Sequence, residues 1–408
     1  MTTDSAMAGW GRVGFNGSRW ELTGVILRGY LLMVPTIGIA RFWQVTWKRR
    51  FYWQHTLLDG DPLEYTGHAS QLLIGFLFAL GFFLPVYVAF FYLSTRLSEL
   101  ALIGYGAIGA VLWFLSGYAL YRGRDFRLSR TLWRGVRFDM RGNGWAYALR
   151  RFLWSLLALV TLGLAYPFMA ASLWRFRTNN TWFGDRPFTT SASWRHLALP
   201  YYGGYFLNAL LIGGIIGYAI VTRDFVQYEG RAIPGPMTVL LSIGELIVLT
   251  GSIAFYRARA ASRLLSSITI GEAALQVRVR ARDLFGQYIG YAAALVGLVL
   301  LLGIIALIAA GSIVAAATAS GDGPDPAAVM SFFQSGTLNV AMLAGAYLLV
   351  LGTFGLLNEI ILSVGWWKLL ARGTIIVNSG TLRSVRAAPE DRSLIGEGLA
   401  DALNVGAY

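Results

Sequence analysis

The sequence predicts a mainly α-helical, polytopic membrane protein. About six transmembrane helices, two re-entrant or shallow helical hairpins and short cytoplasmic β-strand pairs are expected, arranged in pseudo-repeats. Three observations carry this expectation. Apolar runs such as "LLIGFLFALGFFLPVYVAFFY", "MTVLLSIGELIVLTGSIAFY" and "YIGYAAALVGLVLLLGIIALIAAGSIVAAA" recur along the chain, and each reaches the roughly 20 residues that cross a bilayer core. Only 13% of the 408 residues are charged, against about 25% in soluble domains. Finally, Arg12–Leu72 aligns without a gap on Arg137–Leu197, matching Gly17 with Gly142, Trp20 with Trp145, Thr36 with Thr161, Gly38 with Gly163, Thr56 with Thr181 and Pro62 with Pro187.

The first unit, residues 1–125, begins with "MTTDSAMAGWGRVGFNG". It lacks an apolar h-region, so no cleaved signal peptide is expected. A short strand is followed by the apolar stretch Glu21–Arg41, broken at Pro35–Gly38, where proline and glycine end or bend a helix. A basic-aromatic helix end, "WKRRFYW", leads through the turn residues of "DGDP" into a second strand and two membrane helices. The second unit, 126–260, follows the same order through Phe152–Leu173 and "LWRFRTNNTWFGDRPFTTSA". A divergent third unit, 261–385, starts at "LQVRVRA", runs through a long apolar hairpin and ends at "TIIVNSGTL". Residues 386–408 form a polar cytoplasmic tail.

Charge orients the chain. Its formal net charge is +13, almost all from arginine, with Lys48 and Lys368 as lysines. If Glu21–Arg41 and Phe152–Leu173 each cross the membrane, the arginine-dense stretch Arg122–Arg151 falls outside. If each enters and returns, only Arg96, Arg223 and Arg231 lie outside, with Arg28 within the first hairpin. The positive-inside rule prefers the second arrangement, with both termini cytoplasmic. An interfacial helix that never inserts deeply is the alternative to a re-entrant one. The basic excess is thereby explained without nucleic acid.

The stretches "FNGSRWELTGV", "PTIGIARFWQVTWKRRFYWQHTLLDGDPLEYTG" and "GEGLADALNVG" resemble the YjgN family of bacterial inner-membrane proteins, which carries a domain of unknown function. The resemblance implies an inner-membrane location and no established reaction, so no catalytic residues are carried over.

Two sets of residues are candidates for chemistry. Arg28, Glu245, Asn358 and Glu359 lie in apolar surroundings, where a charge normally has a partner or a water-filled cavity; they are candidates for ligand or cation binding or for an internal pair. Lys48, Arg49, Arg50, Arg175 and Arg177 sit among aromatics, and suit either interfacial anchoring or contact with anionic lipid phosphates. No cysteine is present. No His-Glu-x-x-His helix or phosphate-binding loop occurs, and His55 aligns with Asn180, so no metal, cofactor or enzymatic activity is expected. The expected function is transport-like or lipid- and small-ligand-handling. The alternative is a membrane scaffold binding a protein partner at its cytoplasmic face.

This orientation predicts that Asp59→Cys and Asp185→Cys react with a membrane-impermeant maleimide only after cells are opened. Labelling of both in intact cells would reverse the topology.

Overall fold

A computed structural model of the chain describes residues 9–96, 98–318 and 337–387. The outer loop of the third unit and the tail beyond Ala387 therefore lie largely outside the described residues. Two units are separable: one comprises residues up to Arg282 and from Lys368 onward, the other Asp283–Trp367.

The first unit is built on a β-barrel. Its strands are β1 (Trp10–Phe15), β2 (Thr56–Leu58), β3 (Asp61–Tyr65), β4 (Thr131–Trp133), β5 (Val136–Met140), β6 (Thr181–Phe183), β7 (Arg186–Thr190), then, after a separate two-stranded hairpin β8 (Phe225–Tyr228) and β9 (Arg231–Pro234), β10 (Ile268–Ile270), β11 (Ala273–Val277) and β12 (Thr374–Val377). All except β8 and β9 join one closed ring in the order β1-β12-β11-β10-β7-β6-β5-β4-β3-β2. Neighbours are antiparallel throughout, and the ring closes where Trp10, Gly11 and Arg12 pair with Val377, Ile376 and Ile375.

This corrects the expected fold class. The mainly α protein with short strand pairs is instead a closed ten-stranded barrel combined with many helices. The physical reason is edge satisfaction. A two-stranded hairpin is marginal in water, and each of its edges leaves backbone groups unpaired. Joining the hairpins into a ring removes every edge. The sequence reading also missed β2, β4, β6 and β10, three-residue strands too short to show a period.

Local chemistry explains how each hairpin forms. Asp59-Gly60 and Arg134-Gly135 both take positive φ (53° and 91°, 51° and 75°), as a type I′ turn requires. Four strands begin with a threonine whose hydroxyl donates to the carbonyl four residues back: Thr56 to Tyr52 (2.7 Å), Thr131 to Arg127 (2.8 Å), Thr181 to Arg177 (2.8 Å) and Thr374 to Leu370 (2.7 Å). Each satisfies a carbonyl that the end of a helix leaves open, and the β-branched residue then starts the strand.

All ten barrel strands contribute to one apolar cluster around Trp133, Phe183, Ala273 and Ile376. In a closed barrel only the lumen is common to every strand, so the interior is a packed core. Leu382 and Val385, on and just after the 3₁₀ helix Ser379–Ser384, join that cluster. The end of the described chain is held there as Arg386 N–H donates to Asp185 (3.1 Å) and its carbonyl accepts from the Asp185 amide (3.1 Å).

The barrel hairpins are entered from helices and left into helices, so tight turns collect at one rim and helix junctions at the other. The helices are α1 (Arg19–Met33), α2 (Arg41–Gln54), α3 (Ala69–Arg96), α4 (Ser98–Ser129), α5 (Gly144–Val160), α6 (Tyr166–Asn179), α7 (Arg195–Thr222) and α8 (Pro236–Leu265). The second unit takes in most of α9 (Ala281–Thr318), α10 (Thr337–Leu357), a π-helical turn Asn358–Ser363 and the start of α11 (Val364–Gly373). Among the described residues, six segments are long and apolar enough to cross a membrane: Ala69–Arg96, Ile103–Ser129, Arg195–Thr222, Pro236–Leu265, Ala281–Ile305 and Ala344–Gly373.

Helices α1, α2, α5 and α6 are shorter. At 15, 14, 17 and 14 residues, each spans only about 21–26 Å, less than the roughly 30 Å core. Helix α1 starts at a capping box formed by Ser18 and Glu21, and α5 at an Asn143 cap. The turns between the members of each pair are built alike. Thr36 donates to the Leu32 carbonyl (2.5 Å) and accepts from the Ala40 amide (3.1 Å); Thr161 does the same with Leu157 (2.7 Å) and Ala165 (3.1 Å). The next two residues, Ile37-Gly38 and Leu162-Gly163, are left-handed. Both tips are apolar yet open, with Ile37 94% and Leu162 79% exposed.

Backbone carbonyls at such a tip need partners where water is scarce. The α5–α6 tip receives three from α7: Tyr205, Tyr201 and Tyr202 donate to the carbonyls of Leu162 (2.9 Å), Gly163 (3.0 Å) and Leu164 (2.7 Å). Replacing all three tyrosines by phenylalanine is expected to destabilise the protein by about 2–4 kcal/mol, at roughly 1 kcal/mol per hydrogen bond. The measurement is the unfolding midpoint of purified protein in detergent. An unchanged midpoint would show that the clamp contributes nothing.

Candidate functional site: an arginine collar and groove

Cationic side chains crowd the helix ends that run into the barrel. The α2 set is tied to the end of β3. Arg49 donates to the Tyr65 hydroxyl (3.0 Å) and lies 5.8 Å from its ring centroid, while Arg50 donates to the Gly67 carbonyl (3.2 Å). Lys48 is half-buried on the same turn. On α6, Arg175 is exposed and Arg177 half-buried, with the Arg177 Nε buried and without a hydrogen-bond partner. Two arginines outside the predicted sets also build the junction. Arg130, 4% exposed, donates through Nε to Gln71 on α3 (3.3 Å) and packs 4.8 Å from the Phe126 ring centroid. Arg263 on α8 donates to the His196 carbonyl (2.7 Å) at the start of α7.

The histidine reading can be placed on the same helix ends. His55 Nδ1 lies 2.8 Å from the Phe51 carbonyl, and Asn180 Nδ2 donates to the Phe176 carbonyl at 2.7 Å. The two aligned residues thus cap the same place on α2 and α6. His55 also lies 3.5 Å from Glu21. Among the described residues, no three His, Asp or Glu side chains converge as a metal site would require.

Of the candidates in apolar stretches, Arg28 and Glu245 lie in the first unit and Asn358 and Glu359 in the second. Arg28 is exposed on α1. Glu245 is buried on α8, and neither carboxylate oxygen has a hydrogen-bond partner; Arg28 and Glu245 do not pair. In the second unit, exposed Asn358 and buried Glu359 open the π-helical turn, a distortion of the kind often found at functional sites.

A concavity lies at the base of α8. A cavity of about 550 Å³ is lined by Phe255, Arg259 and Ser262 of α8, Arg278, Val279 and Arg280 of the connector, and Ala281 and Arg282 at the start of α9. The connector is held by serines. Ser266 Oγ accepts from the Val277 amide (2.7 Å), Ser262 Oγ accepts from the Val279 amide (2.9 Å), and the Arg278 amide donates to the Gly373 carbonyl (2.8 Å). In "VRVR" the valines are buried and Arg278 and Arg280 exposed, the period-two pattern of extended backbone. Arg259 lies 5.5 Å from the Phe255 ring centroid. Among the described residues no carboxylate lines the cavity, and four guanidiniums stand there beside one aromatic ring. None of these lining residues stood among the predicted site residues. The alternating "VRVRAR" was the available signal, but only the return of the chain onto α8 makes it a wall.

A family model described as "Bacterial protein of unknown function (DUF898)" matches residues 11–402. Neither the curated proteins nor the solved structures contain a match. The six apolar helices and a match across nearly the whole length lead to one assignment: the chain belongs to the DUF898 family, the YjgN-like family of bacterial proteins.

Proposed function

We propose that this chain is a non-enzymatic inner-membrane protein that binds an anionic amphiphile of the phospholipid class, with its barrel and both termini on the cytoplasmic side. The groove at the base of α8 is the observation that carries this reading. Among the described residues four arginines and no acid line it, and the helix bearing Phe255 and Arg259 is one of the six apolar segments. Guanidinium forks match phosphate oxygens, and an aromatic at headgroup depth is the usual companion of such a site. Handling of a lipid or small anionic ligand is supported by this lining better than a relay through Glu245, Asn358 or Glu359, none of which lines the groove.

A protein-binding platform is the second reading. The filled barrel lumen favours it, because a packed core offers no passage while its turn rim presents a fixed surface. That rim is braced by Arg134, which bonds Asp61 and lies 3.7 Å from Asp59.

The groove is tested with Arg259→Gln/Arg280→Gln in nanodiscs of phosphatidylcholine with or without phosphatidylglycerol. Wild type is expected to retain phosphatidylglycerol preferentially on extraction. The double variant is expected to retain it at least roughly tenfold less, since hydrogen bonds to charged groups contribute about 1.5–3 kcal/mol each. Equal retention of neutral and anionic lipid by wild type would remove the proposal.

A further inference from the structure

The helices that hold the α5–α6 tip also fix its level along two candidate spans. Tyr166 at the start of α6, Tyr201 on α7 and Tyr256 on α8 meet with ring centroids 5.1–6.1 Å apart. Tyr201, Tyr202 and Tyr205 donate to the tip carbonyls of Gly163, Leu164 and Leu162 at 2.7–3.0 Å. A Cβ on Gly163 would stand 3.1 Å from the Tyr201 hydroxyl. The tip and these tyrosines therefore share one level on α7 and α8.

Both helices then serve as rulers. Helix α7 ends at Thr222, where Arg223 turns left-handed, and α8 starts at Pro236. Tyr202 lies about 20 residues before the first of these ends and Tyr256 about 20 after the second, roughly 30 Å in each case. That is one hydrocarbon thickness, and a tilt of about 20° shortens it by only ~2 Å. Charge marks the same boundaries. Between Arg195 and Arg223, α7 carries no Asp, Glu, Lys or Arg, and on α8 Arg257 directly follows Tyr256. Tyrosine concentrates at a membrane–water boundary. The α1–α2 hairpin supplies a third measure. Phe42, one turn past the bend at Gly38, meets Phe76 of α3 with ring centroids 5.3 Å apart. Arg96, at the far end of α3, is again about 20 residues from Phe76, roughly 30 Å.

Water is a poor cover for either tip. Phe152–Leu173 contains no charged residue, and Val160, Leu162 and Ile37 are 80%, 79% and 94% exposed. Apolar surface of this kind marks an interaction site. It continues at the next level of α7, where Phe206 and Leu210 are exposed. We infer that the tips of α5–α6 and α1–α2 insert as shallow wedges into the barrel-side lipid leaflet, at the level of the tyrosines, and stop short of mid-membrane. The barrel side is fixed because α7 leaves strand β7 at the end where the tip is held. The partner is the lipid surface itself. Acyl chains cover Val160, Leu162 and Ile37, while the α5–α6 carbonyls stay on tyrosine hydroxyls. Nothing in this placement depends on the groove at α8.

The chain has no cysteine, so a single introduced cysteine carries a nitroxide without background. The full chain is placed in nanodiscs of phosphatidylcholine and phosphatidylglycerol, and depth is read as accessibility to oxygen relative to a nickel chelate. Leu162→Cys and Ile37→Cys report on the tips. Val160→Cys repeats the first measurement off the clamp, in case Leu162→Cys fails to fold. Ile212→Cys and Ile220→Cys, at the middle and the far end of the apolar part of α7, calibrate the scale. The Ile212 label is expected about 15 Å inside the boundary. The tip labels and the Ile220 label are expected within about 5–10 Å of it. Tip labels as deep as the Ile212 label would overturn the inference in favour of a re-entrant hairpin. Labels shielded from both reagents would overturn it in favour of a protein cover such as a second copy, and labels in bulk water would remove the lipid contact altogether.

Discussion

The pairing of β1 with β12 is the contact on which the rest of the first unit depends. Trp10–Arg12 meets Ile375–Val377 across almost the whole length of the chain, and this ladder turns a row of hairpins into a ring. Open, the row would end in two exposed edge strands of six and four residues, too short to persist alone. Closed, it has no edge, and its lumen collects one side of every strand into a single core. The helix junctions are anchored to that ring by threonine hydroxyls, so the directions of α2, α4 and α6 follow from the barrel.

Polar backbone in apolar surroundings is the second constraint. The α5–α6 tip has its three carbonyls satisfied by Tyr201, Tyr202 and Tyr205. The α1–α2 tip has the same threonine and left-handed pair, but the aligned positions on α3 are Phe76, Leu77 and Leu80. No hydroxyl stands there. The two hairpins thus share a turn and differ in what holds it: a neighbouring helix clamps the second, and the same clamp is absent from the first.

Arginine, nearly the whole of the positive charge, does several jobs that the sequence presents as one. Arg49, Arg50, Arg130 and Arg263 fasten helices to the junction through neutral acceptors. Arg134 braces adjacent turns at the opposite rim. Arg259, Arg278, Arg280 and Arg282 line a groove at the base of α8. The count of basic residues on one side of a membrane is a sum over all these roles, so it carries orientation and no information about sites. That is why Lys48, Arg49 and Arg50, conspicuous in the sequence, prove to include structural ties, while the groove went unmarked.

What the sequence determined by itself is local. Apolar runs of sufficient length specify six candidate spans, because hydrophobic length is a property of consecutive residues. Asp59-Gly60 specifies a tight turn, since few residues accept positive φ, and the aligned His55 and Asn180 disclose a shared capping role. Family membership is likewise written in the order of residues. What tertiary structure alone decided is which edges meet and which side chains line one groove. Closure of the barrel joins strands from opposite ends of the chain, and three-residue strands carry no period that would reveal them beforehand. The arginine groove exists because Val277 and Val279 turn inward against α8. Both depend on distances between segments remote in sequence, and such distances are set only when the ring closes.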